Sequence, residues 1–170
     1  MKLIAIDSSG MTAGVALIED GVIKGEYSVN HLKTHSQTLL PMLDELKTLT
    51  ELDMNTLDAI AVSAGPGSFT GLRIGSATAK GLGLALDIPI VEISTLEGLA
   101  YNLYGTGQIV CPIMDARRSQ VYTAVYGFSD DTAFPQCIKE PCAIDIKELL
   151  AFLKNDLKEE CAKRGVVFLG

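Results

Sequence analysis

Three short β-strand patterns open this chain before any helical pattern appears. Runs rich in β-branched and apolar residues cover Lys2–Ser9, Thr12–Glu19 and Val22–Val29. The last two are separated only by Asp20-Gly21, a two-residue turn that is typical of β-hairpins. The fold therefore begins with strands joined by tight turns.

Helices and strands then alternate. Apolar residues spaced three or four apart, from Leu39 to Leu49, predict a helix, and Pro41 requires that it start near Thr38 or carry a kink. The run Leu57–Ser63 is apolar without alternation, which indicates a buried central or parallel strand. The other elements predicted for this half are a glycine-rich turn at Gly65–Gly71, a helix running to about Leu86, a strand at Ile88–Ile93 and a short helix around Leu96–Leu103.

The pattern restarts after Gly105-Thr106-Gly107. Strands are predicted at Ile109–Met114, Gln120–Tyr126 and Val166–Leu169, with a helix from about Ile146 to Cys161. Asp145 stands at the N-cap of that helix and Gly165 beyond its end. We predict a duplicated α/β architecture, with a first lobe at residues 1–104 and a partial second lobe at residues 105–170.

Composition excludes several functions. The net charge of −7, with 14 Lys and Arg residues, disfavours unaided binding to nucleic acid or to an anionic membrane. No apolar run is long enough to span a bilayer, and the apolar start is too short for a signal peptide. The four cysteines show neither C-x-x-C nor histidine pairing, so we expect reduced thiols and a cytoplasmic protein.

Two segments could bind a nucleotide. The loop Gly65–Gly71 lies between a strand and a helix, where backbone N–H groups can face a phosphate, and Gly65 and Gly67 are its candidate binding residues. It is not a Walker A loop, since no Lys-Ser/Thr follows Gly71, so a purely structural turn is the alternative. Asp7, at the end of the first strand, could help to place Mg²⁺ or could be a structural residue.

Other polar residues carry weaker indications. His31 and His35 have a spacing that suits a metal only on one helix face, and Pro41 places the helix start after them, so we expect surface or helix-entry residues. Arg117 and Arg118 fit a solvated turn, and the sequence assigns them no other role. Two histidines and no G-x-S-x-G give no support to a hydrolytic triad.

Both helices of the first half could also meet a partner. The leucine-rich stripe of the first is broader than one sheet face needs, and the second carries a small-residue face around Ala77. Each interior glycine costs about 0.5–1 kcal/mol relative to alanine, which close approach of another helix or of the sheet would offset. Burial of the stripe in the chain's own core is the alternative.

Several blocks resemble the TsaB (YeaZ) family. They are IAIDSS near the N-terminus, HSQTLLP from His35, SAGPGSFTGLRIG from Ser63, and Asp115-Ala116-Arg117 followed by Val121-Tyr122. The resemblance implies an actin-like (ASKHA, ribonuclease H-like) fold of two related α/β lobes. It also implies a role in forming N6-threonylcarbamoyladenosine (t6A) at position 37 of tRNAs that read ANN codons. Family members continue past Phe168-Leu169-Gly170, so we expect an incomplete second lobe and an exposed edge or face on its last strand.

The resemblance further implies that this chain is not an enzyme on its own. The catalytic paralogue TsaD carries a metal-binding His-x-x-x-His where Thr95 and Leu99 stand here, so no catalytic residue, metal or required cofactor is expected. ATP or ADP would then sit only at an interface shared with a partner. The alternative is a stand-alone ASKHA ATP-dependent phosphotransferase or glycopeptidase-like enzyme.

The implied partners are a TsaD-like catalytic paralogue and a TsaE-like ATPase, with a homodimer when the chain is alone and tRNA contacted only through the complex. The residues predicted to form the partner interface are Leu39, Met42, Leu43, Leu46, Arg73 and Ala77. Arg73 lies near the positive end of its helix, so we expect an acidic group of a partner to face it.

Overall fold

A computed structural model of the chain describes residues 1–30, 34–129 and 132–170. It divides into two compact units, Met1–Thr95 and Leu96–Gly170. The sequence places the boundary after residue 104. The structural division comes earlier because Leu96 and Ala100, on the helix that closes the predicted first lobe, lie in the core of the second unit.

The first unit is a mixed sheet covered by helices. Its described elements are β1 (Lys2–Asp7), β2 (Ala13–Glu19), β3 (Val22–Val29), α1 (His35–Leu49), a 3₁₀ turn (Met54–Thr56), β4 (Ala59–Gly65), α2 (Phe69–Leu86) and β5 (Ile90–Ser94). The strand order is β3-β2-β1-β4-β5. The first three strands pair antiparallel, whereas β4 and β5 join in parallel. The predicted hairpin start and the parallel character of β4 are confirmed.

The core of this unit lies between the sheet and the two helices. Alternate residues of the strands, such as Ile4, Ile6 and Val15, point to the same hydrophobic cluster as the buried side chains of α1. α1 begins at His35, so Pro41 lies inside the helix, and the expected start near Thr38 is wrong. Proline removes one backbone hydrogen bond, and burial of the apolar face of α1 offsets that loss.

The second unit also has a sheet, with helices on both faces. Its described elements are α3 (Thr95–Tyr101, whose first residue belongs to the first unit), β6 (Ile109–Arg117), β7 (Gln120–Gly127), β8 (Gln136–Asp145), α4 (Ile146–Asn155), α5 (Lys158–Arg164) and β9 (Val166–Leu169). The strand order is β8-β7-β6-β9, with β6 and β9 parallel. α3 contributes to the cluster on one face, and α4 and α5 to the cluster on the other.

Two features of this unit differ from the prediction. The sequence pattern does not predict β8, and the single helix from Ile146 to Cys161 is two helices, because the chain leaves helical geometry around Asp156 and Leu157. The predicted caps are confirmed: the Asp145 carboxylate accepts the Lys147 N–H at 2.8 Å, and Gly165 ends α5 with a φ of 73°. β9 lies at the sheet edge among the described strands, as expected.

No helix in the described part of the chain is both long enough and apolar enough to cross a membrane.

Candidate functional site

Three of the sequence blocks named above meet at one end of the first sheet. β1 and β4 are parallel neighbours, so the turn after β1 and the glycine-rich loop after β4 lie side by side. The N-terminus of α1 reaches the same place through His35. We call this region the motif junction; it comprises residues 7–10, His35 and residues 65–75.

Two buried serines connect the turn to α2. The Ser8 hydroxyl donates to the Gly71 carbonyl at 2.8 Å, and the Ser9 carbonyl accepts the Ser68 N–H at 2.6 Å. The Ser9 N–H in turn donates to the Asp7 carboxylate at 2.8 Å. The Ser8 hydroxyl and both backbone polar groups of Ser9 are therefore satisfied by the chain itself.

Three glycines spaced four residues apart make this approach feasible. A Cβ on Gly67 would overlap the Ser9 carbonyl, one on Gly71 would overlap the Ser8 carbonyl, and one on Gly75 would overlap the Ser8 hydroxyl. Glycine is thus required at these positions by the proximity of another backbone segment. The glycine-rich helix packs on its own sheet, which was one of the two alternatives that the sequence left open.

His35 fixes the N-terminus of α1 to the same turn. Its Nε2 donates to the Gly10 carbonyl at 2.9 Å, which requires the proton on Nε2. The expected surface or helix-entry position is what the structure shows for His35, at the first residue of α1. His31 lies outside the described residues.

The three residues predicted to bind a nucleotide all lie in the motif junction, but packing within the chain also explains the geometry there. The Ser68 N–H at the start of α2 is already occupied by the Ser9 carbonyl, so a phosphate there would have to displace it. Gly65 has a φ of 114°, which only glycine adopts readily, and Gly67 is required by packing. Binding of a nucleotide by Asp7, Gly65 and Gly67 stays a prediction.

A cavity of about 320 Å³ opens beside the motif junction, and Asp7, Glu26, Ser28 and Ser63 supply much of its polar lining. Among the described residues, two carboxylates and no basic side chain face it. A bare phosphate would be repelled there, so an anionic ligand would need a cation of its own.

The two positions that the family resemblance aligns with metal ligands of the paralogue do not fit a metal. Leu99 has no donor atom and is half-buried. Thr95 is 6% exposed, and its hydroxyl has no hydrogen-bond partner among the described residues. A neutral hydroxyl and an alkyl side chain cannot replace two imidazoles.

The structure revises part of the predicted partner interface. Leu39, Met42, Leu43 and Leu46 are only 1–7% exposed and belong to the core of the first unit. The width of the stripe has a simple cause, since α1 packs against both β2 and β3 and against α2. These four side chains have almost no surface left for a partner.

Arg73 and Ala77 do lie at the surface, on a stripe of exposed α2 residues that the helical repeat places on one face. We call it the α2 stripe; it consists of Phe69, Arg73, Ala77, Lys80 and Leu84. The Arg73 guanidinium lies 4.0 Å from the centre of the Phe69 ring. The expectation that Arg73 needs an acidic partner is therefore weakened, because its own helix supplies a cation–π contact.

Comparisons with known proteins agree with the sequence blocks at the motif junction. A family model described as "TsaD: tRNA N6-adenosine threonylcarbamoyltransferase" matches residues 30–169. The tRNA threonylcarbamoyladenosine biosynthesis protein TsaB of Bacillus subtilis is 38% identical over 170 residues, which cover the whole of this chain and 71% of that protein. The chain belongs to the TsaB family.

Further relatives support the assignment. The TsaB protein of Haemophilus influenzae is 33% identical and matches 98% of this chain. The solved structure of YeaZ from Pseudomonas aeruginosa superposes with a TM-score of 0.74 at 32% identity, over 84% of this chain. The predicted actin-like α/β fold is thereby confirmed. The chain spans 66% of the length of each of these two TsaB-family proteins.

Proposed function

We propose that this chain is a non-catalytic subunit of the machinery that forms t6A in tRNA. The names of its TsaB relatives support a place in t6A biosynthesis. The observation that carries the non-catalytic part is the replacement of the paralogue's histidine pair by Thr95 and Leu99, which offer no pair of metal ligands.

The architecture of the motif junction supports the same proposal. The Ser8 hydroxyl and the His35 ring donate to backbone carbonyls of the chain itself, and the Ser9 carbonyl accepts the Ser68 N–H. These contacts connect the β1–β2 turn to both helices, which supports a structural role for the junction residues.

The partners that we propose are a TsaD-like catalytic paralogue and a TsaE-like ATPase, with self-association when the chain is alone. The α2 stripe is the surface that we assign to pairing, because it joins two exposed apolar residues, Phe69 (69% exposed) and Leu84 (86%), to Arg73 and Ala77. ATP or ADP, if bound, would lie at the interface with a partner, and we place the protein in the cytoplasm.

Co-purification with a TsaD-like protein, followed by assays of ATP turnover and t6A formation, tests the proposal. The chain alone should turn over no ATP, and t6A should form only when the paralogue and a TsaE-like ATPase are also present. Substantial turnover by the chain alone would instead favour a stand-alone ASKHA phosphotransferase or hydrolase. Ala77→Glu should weaken co-purification, whereas Ala85→Glu, at an exposed alanine of the same helix outside the stripe, serves as the matched control.

A further inference from the structure

The turn between β6 and β7 has an unusual backbone for its sequence. Arg117 pairs with Gln120, which leaves Arg118 and Ser119 as a two-residue hairpin loop. Arg117, Arg118 and Ser119 have φ values of 66°, 52° and 63°. Type I′ turns of this kind favour Asn-Gly, because both central residues have positive φ. We call residues 117–119 the arginine turn.

Half of the chain's four arginines are in this turn. The other two are engaged: Arg73 lies over the Phe69 ring, and Arg164 donates to three backbone carbonyls. For Arg117 and Arg118, no side-chain hydrogen bond or ion pair is formed with the described part of the chain. Structure alone does not require arginine here.

Nearby acidic groups do not neutralise the two guanidinium groups. The Asp115 carboxylate accepts the Arg117 backbone N–H at 2.7 Å, and the Asp145 carboxylate caps α4 through the Lys147 N–H. Both carboxylates thus accept hydrogen bonds from backbone N–H groups. Neither forms an ion pair with an arginine in the described part of the chain. A strained backbone that presents two unpaired cations points to a ligand outside the chain.

The composition of the tip indicates which ligand. Residues 117–120 read Arg-Arg-Ser-Gln, and all four are exposed and can donate hydrogen bonds. Guanidinium forks suit phosphate oxygens, which they bind in pairs. A protein interface needs an apolar centre, and these four positions contain no apolar side chain.

We propose that the arginine turn contacts the phosphodiester backbone of tRNA, as a sequence-independent contact that helps to hold the RNA against the complex. The choice of RNA rests on the proposed function. Because the chain's charge is −7, the contact is weak for the chain alone at physiological salt, and it is measurable at low salt.

The test measures binding of fluorescently labelled, unmodified tRNA to the full chain between about 20 and 150 mM salt. The variant R117N/R118N removes both cations, and asparagine tolerates positive φ, so the turn should persist. The matched control K47N/K154N removes two exposed lysines elsewhere. For each phosphate interaction that it removes, R117N/R118N should weaken binding about tenfold at low salt and reduce the salt slope by about one. The control should leave the slope unchanged.

Equal weakening by both variants would overturn the proposal, since it would show only a general charge effect. The proposal would also be overturned if R117N/R118N has the same melting temperature as the wild type and binds tRNA with unchanged affinity. Poly-L-glutamate serves as a second probe: an equal decrease in its binding would identify an acidic protein as the ligand class and overturn the RNA assignment. Formation of t6A by the wild-type chain with its partners is measured separately, so failure of the proposed function is distinguishable from failure of this contact.

Discussion

Replacing Gly71 by alanine should destabilise the first unit although it improves helix propensity. An added methyl group at this position overlaps the Ser8 carbonyl, which is backbone and cannot swing away. Overpacking of this kind typically costs about 1–3 kcal/mol of stability. Removing a helical glycine offsets about 1 kcal/mol of that cost. The matched control is Gly81→Ala on the same helix, where an added Cβ meets nothing within 4 Å.

The two variants should therefore shift stability in opposite directions. Gly81→Ala should gain about 0.5–1 kcal/mol, and Gly71→Ala should show a net loss of about 1–2 kcal/mol once the gain in helix propensity is subtracted from an overpacking cost in the upper part of its range. Urea unfolding followed by circular dichroism measures the change in the free energy of unfolding for both variants, and in thermal unfolding each kcal/mol should shift the Tm of the unit Met1–Thr95 by about 4–8 °C. If Gly71→Ala is as stable as Gly81→Ala, the close approach of α2 to the β1–β2 turn is not the reason for the glycine.

Three further outcomes are expected. Leu46→Glu should prevent folding of the first unit because the Leu46 side chain is only 1% exposed, whereas Leu49→Glu should stay folded because Leu49 is 64% exposed. Circular dichroism measures the folding of both variants, and the same spectrum for both would contradict the core assignment. Arg118→Asn combined with Ser119→Gly should raise stability by about 1 kcal/mol, and an unchanged Tm would argue against strain in the hairpin. Burial raises the pKa of the Cys111 thiol, so peptide mapping should find Cys111 alkylated at mildly alkaline pH only after denaturation, whereas the exposed Cys137 should react in the native protein. Rapid labelling of Cys111 itself in the native protein would refute its burial.

The local order of elements could be predicted from sequence because turns carry their own chemistry. Asp20-Gly21 marks a hairpin, and Asp145 and Gly165 mark helix ends, whatever the tertiary context. β8 has no such signal. It is an edge strand, and Pro141 lies where the pairing with β7 is irregular, so the strand contains a residue that normally argues against one.

The function of each helix face could not be read from periodicity alone. An apolar stripe such as that of Leu39 and Leu46 is the same pattern whether it faces the chain's own sheet or a partner. The interior glycines of the second helix did predict close approach of another helix or of the sheet. Only the fold shows that the approaching segment is the turn at Ser8.

The motif junction has a practical consequence for mutational scanning. Its contacts depend on backbone carbonyls and on positions without side chains, so substitution by alanine adds an atom at the glycines. An alanine scan would therefore remove side-chain hydrogen bonds at Asp7, Ser8, His35 and Ser68, and it would create overlap at the three glycines. A scan that introduces larger residues would rank it among the most sensitive parts of the chain. At Gly67, Gly71 and Gly75, the absence of a side chain is therefore what this part of the fold requires.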